Sequence, residues 1–255
     1  VQASLTFCIK NHNFFQNIMQ KKAIFVFFVA LIGFLSACHL PTVEDYFEMG
    51  EKSYRAQNYR EALKNYDYAL RVERNHFRSW AGKGWCYLAL KHHKEAHYYF
   101  EVSLTKNPKF AEAYNGRGLA KIEFAAELAK NDFDSAIILN PNYTEAYYNR
   151  GRLACKNGNY EAALRDFQTA IAQDSMYSAA YNWGGIALGS LGNYDSAIVY
   201  FTKAIAIDDK NAFAFHNRAL AYYRLERKAE TCRDLERAVE LGDNQAYEIR
   251  KKYCF

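Results

Sequence analysis

Apolar and polar residues follow a helical period along most of this chain. Between Glu61 and Leu70, the residues Ala62, Tyr66, Ala69 and Leu70 stand at i, i+4, i+7 and i+8, which is one face of an α-helix. The same face then recurs. Gly50, Gly84, Gly118, Gly151 and Gly185 are spaced by 34, 34, 33 and 34 residues, with Ala219 in the sixth place. Three more ladders run in step: Ala62, Ala96, Ala129, Ala163, Ala197, Thr231; Tyr66, Phe100, Phe133, Phe167, Phe201, Leu235; and Ala69, Ser103, Ala136, Ala170, Ala204, Ala238. A fixed period of this length predicts one helix pair per repeat, small residues on one helix admitting aromatics from the other. Turns are marked by Gln57-Asn58-Tyr59, Gly158-Asn159-Tyr160 and Gly192-Asn193-Tyr194 within repeats, and by Asn-Pro at Asn107 and Asn140 between them. No strand pattern is present in the sequence. The third repeat departs from the rule: Gly118 to Ala129 spans 11 residues where repeats one, two, four and five have 12. One residue is about 100° of helix, so either the helix pair is kinked there or the turn is tightened.

The ladders resemble the tetratricopeptide repeat, most clearly in the stretch Trp80 to Pro108 and again in Tyr181 to Asp209. The resemblance covers Val43 to about Gln245. It implies an all-α fold, a right-handed α-solenoid of six helix pairs over residues 43–242, closed by a solvating C-terminal capping helix over 243–255. It also implies a concave surface lined by the first helix of each repeat. Carried over position by position, that wall begins with Glu44, Phe47, Glu51, Tyr54 and Arg55 and continues through Trp85, Leu88, Asn115, Leu119, Ile122, Tyr148, Arg152 and Lys156. It ends with Asn182, Ile186, Phe213, His216, Tyr223 and Arg224. Aromatics with scattered charge of both signs suit an extended peptide or a partner helix. Packing between helices is the competing role for each aromatic. Some co-chaperone members clamp a C-terminal carboxylate with Lys and Asn in the first repeat; Phe47 and Glu51 occupy those places here, so that clamp is absent.

Ahead of the repeats lies Ala23 to Leu40, apolar to Phe34 and preceded by Lys21 and Lys22. A positive flank, an apolar core and small residues Ser36 and Ala37 form the layout of an export signal. The run is shorter than the roughly 20 residues that a spanning helix needs. Leu35-Ser36-Ala37-Cys38 resembles the lipobox of bacterial lipoprotein signal peptides. That resemblance implies removal of residues 1–37, diacylglycerol on Cys38 and a short lipidated linker over 38–42. The rival reading is an uncleaved signal anchor with Cys38 as a buried thiol. Residues 1–18 precede the first methionine, Met19, and read as an over-long start or a removed leader. His39 is not the aspartate that retains enteric lipoproteins at the inner membrane, so the expected location is a bacterial cell envelope at the outer membrane.

Charge narrows the partners. Loss of residues 1–37 removes Lys10, Lys21 and Lys22 and no acid, taking Lys+Arg from 33 to 30 against 28 acids. A near-neutral balance without basic runs argues against a nucleic-acid binder. Cys8 falls in the leader, and Cys86 and Cys155 sit in apolar helical segments as small hydrophobes. Cys232 and Cys254 flank Gly242 by ten and twelve residues. In a helical hairpin they lie at one height, which predicts a disulfide worth about 3 kcal/mol by loop entropy, against two free thiols on facing helices. His93 and His97 share a helix face, but two ligands do not make a metal site, and the nearby glutamate is misplaced for a zinc protease. With no serine elbow, P-loop or glycine fingerprint, no catalytic residue, cofactor or small-molecule substrate is assigned. The expectation is a lipid-anchored, non-catalytic scaffold that binds a protein partner of an envelope complex. The alternative is a glycan-binding lipoprotein stacking sugars on Trp85, Tyr54 and Tyr148.

Overall fold

The structure is a computed structural model and describes residues 41–255; Cys38 and the apolar run lie outside the described residues. The described residues form thirteen helices and no strand. In pairs they are α1 (Val43–Arg55) with α2 (Tyr59–Val72), α3 (Phe77–Ala89) with α4 (His93–Lys106), and α5 (Ala111–Lys121) with α6 (Ala126–Leu139). The array continues with α7 (Thr144–Lys156) and α8 (Tyr160–Gln173), α9 (Ser178–Ser190) and α10 (Tyr194–Ile207), and α11 (Ala212–Arg224) and α12 (Lys228–Glu240). A last helix, α13 (Asn244–Tyr253), stands alone. None of these helices is long and apolar enough to cross a membrane.

Capping starts the array. The backbone N–H and hydroxyl of Thr42 both donate to Asp45 Oδ2, and the Asp45 N–H donates back to the Thr42 hydroxyl, a reciprocal box at the N-terminus of α1. Between repeats, Asn107, Asn140, Asp174 and Asp208 each end a helix in extended backbone. Their side chains accept the N–H two residues on, from Lys109, Asn142, Met176 and Lys210. Within repeats the chain turns through one left-handed residue: Gln57, Lys91, Gly158, Gly192 and Glu226 all have positive φ. The third repeat has no such residue between α5 and α6. Its missing residue is this hinge: α5 stops two residues early, and Phe124 and Ala125 hydrogen-bond back to the Lys121 carbonyl. The deficit falls in the turn, and Phe133 still meets Gly118 in register.

The core is a column of aromatic rings wedged between glycines. Tyr66 is fully buried against both Gly50 of its own repeat and Gly82 of the next; a Cβ on either glycine would lie 2.5 Å from the ring. Phe100 sits likewise between Gly84 and Gly116. Phe133, Phe167 and Phe201 pack on Gly118, Gly151 and Gly185. Each ring therefore ties a second helix to its own first helix, and in the early repeats to the following one as well. Truncating such a ring to alanine costs about 3–5 kcal/mol.

A row of ion pairs runs beside the rings. Lys83, Arg117, Arg150 and Arg218 each directly precede a member of the glycine ladder. Lys83 donates to Asp67 (2.7 Å), Arg117 to Asp132 (2.7 Å), Arg150 to both Asp134 (2.6 Å) and Asp166 (2.7 Å), and Arg218 to Asp234 (2.7 Å). In the fifth repeat the equivalent residue is Gly184, and the Tyr200 ring fills the space its side chain would take. At the C-terminal end, Cys232 on α12 is disulfide-bonded to Cys254 just past α13, with Cα atoms 5.7 Å apart. That bond fixes the cap over the last repeat.

Candidate functional site

The first helices α1, α3, α5, α7, α9 and α11 touch one another from repeat to repeat, while the second helices make no comparable contact. The first helices therefore form the inner wall. Along it, repeats three to six carry two cavities of about 370 and 380 Å³ that share Ile186 and Ser190. The first is lined by Ile122, Asn149, Arg152, Leu153, Lys156 and Trp183 among others. The second continues over Leu220, Asn217, Tyr194, Tyr223 and Arg224. A third cavity, of about 810 Å³, opens on α1 beside Phe47, Met49, Glu48 and Arg78.

The residues expected to line the groove fall in different surroundings. Arg152, Tyr223 and Arg224 lie on the linked cavities. Phe47 borders the cavity on α1, packed edge-on to His76 and under the Arg78 guanidinium. Trp85 and Tyr54 are half-buried and engaged by other rings, Phe100 and Tyr59 respectively. Tyr148 packs on Phe167 and Tyr177 with Arg152 over it; burial raises its hydroxyl pKa, and Arg152 opposes that rise. Phe213 is 69% exposed but touches neither linked cavity.

Asn115, Asn182 and His216 correct the expectation. They are buried, line neither linked cavity and are not groove surface. All three occupy the fifth position of their repeat, and that position faces the seam between successive first helices. Asn115 accepts a hydrogen bond from Asn149 (3.0 Å), Asn182 accepts one from Asn217 (3.2 Å), and His216 Nδ1 bonds Asp243 Oδ2 (2.6 Å). Asp243 is also the N-cap of α13, accepting from the Gln245 and Ala246 N–H groups. Burial raises its carboxyl, but the His216 bond and these backbone donors outweigh burial and hold it below the usual carboxylate value. The cap thus stands where a seventh first helix would stand, and His216 is its anchor.

What the sequence reasoning missed is the position after the seam. Asn149, Trp183 and Asn217 are the sixth residues of their repeats, two before the glycine ladder, and all three line the cavities. The first residues of the second helices, Tyr160 and Tyr194, close the groove at the turns. Both were readable from the same 34-residue register.

The described residues include no group of three metal-ligating side chains. The thiols of Cys86 and Cys155 are buried, and burial pushes them up to about 12 and about 11, which removes them as nucleophiles at neutral pH.

Comparison with known proteins agrees with this geometry. The tetratricopeptide repeat family model matches residues 47–109 and 148–212. No curated protein matches the chain. Among solved structures, a chain of the APC/C hetero-tetramer Cut9-Hcn1 superposes with a TM-score of 0.77 at 16% identity, over 87% of this chain and 44% of that one. This chain therefore spans less than half the length of that relative. PilW, a widely conserved type IV pilus biogenesis factor, gives 0.73 at 19% identity over 81% of this chain and 97% of its own. YrrB, a repeat protein with an unusual peptide-binding site, gives 0.59 at 20% identity over 73% and 97%. At these identities the likeness is one of fold.

Proposed function

The chain belongs to the tetratricopeptide repeat family, and from that premise we propose that it is a non-catalytic adaptor that holds an extended protein segment against the inner face of repeats three to six. Members of this family are generally interaction scaffolds, and some structural neighbours are peptide-binding or pilus-biogenesis proteins. The observation that carries the reading is the pair of linked cavities. Their floor is aliphatic, through Ile122, Leu153, Ile186 and Leu220. Asn149 and Asn217 each spend one N–H on a seam asparagine, leaving their Oδ1 atoms without a donor among the described residues, as a peptide backbone would require. Trp85, Tyr54 and Tyr148, the platforms of the glycan alternative, are engaged with other rings, and this favours a peptide over a sugar.

The adaptor is further proposed to be tethered through a lipid on Cys38 in a bacterial envelope, at the outer membrane. That part rests on the lipobox-like stretch Leu35 to Cys38 and, for the outer membrane, on His39. With only a few residues between Cys38 and α1, such a tether would hold the first repeat at the bilayer and point the linked cavities away from it.

Site-specific photo-crosslinking in the host tests the binding face. A crosslinker at Ile186 or Leu220 should give a discrete protein adduct, and one at Val199, exposed on the opposite helix row, should give none. Adducts from Val199 without adducts from the groove positions would overturn the proposal. Mass spectrometry of the native protein separately tests the tether: a lipid-modified peptide beginning at Cys38 is expected, and an intact Ala23 to Leu40 would remove it.

A further inference from the structure

Most cations of the first helices are paired with a carboxylate. Lys83, Arg117, Arg150 and Arg218 are all paired, and in the first repeat Arg55 lies 4.0 Å from Glu51. Lys52 in the first repeat and, on the linked cavities, Arg152, Lys156 and Arg224 break that rule. They have no ion-pair partner among the described residues, and no carboxylate lines either linked cavity. Arg152 is moreover held in place. Its guanidinium lies 5.5 Å from the Tyr148 ring and 5.4 Å from the Trp183 ring, contacts that fix the plane while leaving its N–H edge available for a carboxylate. The three cavity cations border an aliphatic floor, so the cavities complement a negative charge beside an apolar side chain.

Building on the groove reading, we propose that repeats four to six select an acidic segment of the partner, seating an aliphatic side chain on Ile186 and Leu220 and carboxylates on Arg152, Lys156 and Arg224. The first-repeat cavity differs in sign: Glu44, Asp45, Glu48 and Glu51 outnumber Lys52, Arg55 and Arg78 there. An acidic segment is therefore directed to the C-terminal half of the wall. Each charged contact at these exposed cations carries up to about fivefold in affinity.

The test is selection of random displayed peptides on the purified full chain and on two charge-reversed variants. One is Lys156→Glu, at an exposed residue with no side-chain bond to lose; the other is Arg152→Glu with Lys156→Glu. The wild-type pool should be enriched in Asp and Glu next to Leu, Ile or Val. Lys156→Glu alone should weaken that bias, and the double variant should replace it with Lys and Arg. An apolar consensus without acids would overturn the charge proposal and leave the groove reading standing, as would an acidic bias that survives reversal in Lys156→Glu. Failure of any peptide to be enriched on the wild type would overturn both.

Discussion

Gly116→Ala isolates the wedge on which the solenoid is built. A Cβ at residue 116 would lie 2.3 Å from Cζ and 2.4 Å from Cε1 of Phe100, a ring that is fully buried. Phe100 has little room to retreat, because its other side lies so close against the backbone of Gly84 that a Cβ there too would come within 2.9 Å of three ring atoms. Overpacking of this kind costs about 1–3 kcal/mol, and the rigid surroundings place it at the upper end. Alanine recovers about 1 kcal/mol of helix propensity over glycine. The net expectation is a loss of about 2 kcal/mol, a fall in melting temperature of roughly 4–8 °C for a chain of this length. The assay is thermal unfolding followed by circular dichroism, in the wild-type and Phe100→Leu backgrounds. With the ring gone the clash is gone, and Gly116→Ala should become stabilising by up to about 1 kcal/mol. A Gly116→Ala effect of the same sign and size in both backgrounds would refute the wedge.

Two further outcomes follow from the turns and from two histidines. Lys91 holds a left-handed conformation with φ of 63° at a turn where the fourth and fifth repeats use glycine; Lys91→Gly should stabilise by about 0.5–1 kcal/mol, whereas Glu101→Gly, at an exposed residue in the middle of α4, should cost about 1 kcal/mol. Burial holds the imidazoles of His76 and His97 below their ordinary value of 6.5, so on acidification the unfolded chain takes up protons first. Their contribution is fully present above about pH 6.5 and is lost as the pH falls toward the folded-state values. The wild type should therefore melt lower at pH 5.5 than at pH 7.5, with a smaller pH difference in the His76→Gln, His97→Gln double variant.

Much of the architecture is legible in the sequence, because a 34-residue period constrains every repeat at once. The helix pairs, the ring-on-glycine packing and the capping helix all follow from four ladders in register. The groove was less legible. Periodicity identifies the inward face of a first helix, but that face is divided between a buried seam and an open wall, and the dividing line lies within one residue. Asn115, Asn182 and His216 fall on the seam side, while Asn149, Trp183 and Asn217, one position later in their repeats, reach the cavities. The cation row had a sequence signal, since Lys83, Arg117, Arg150 and Arg218 each precede the ladder by one residue and their aspartates stand 16 residues away, 15 in the short third repeat, but whether the partner lies before or after the cation required the structure. The short third repeat was visible as a missing residue. Which residue was missing required the backbone, because only φ distinguishes a left-handed hinge from the rest of the turn.

The most direct measurement is the affinity of the protein captured through Ile186 for three forms of the full chain: wild type, Ile186→Asp and Val199→Asp. Burying a partner side chain at Ile186 makes that position a hot spot, so Ile186→Asp should weaken binding on the order of tenfold or more, and Val199→Asp should leave it unchanged. Equal binding by the wild type and Ile186→Asp, or a loss confined to Val199→Asp, would contradict the assignment of the inner wall as the binding surface.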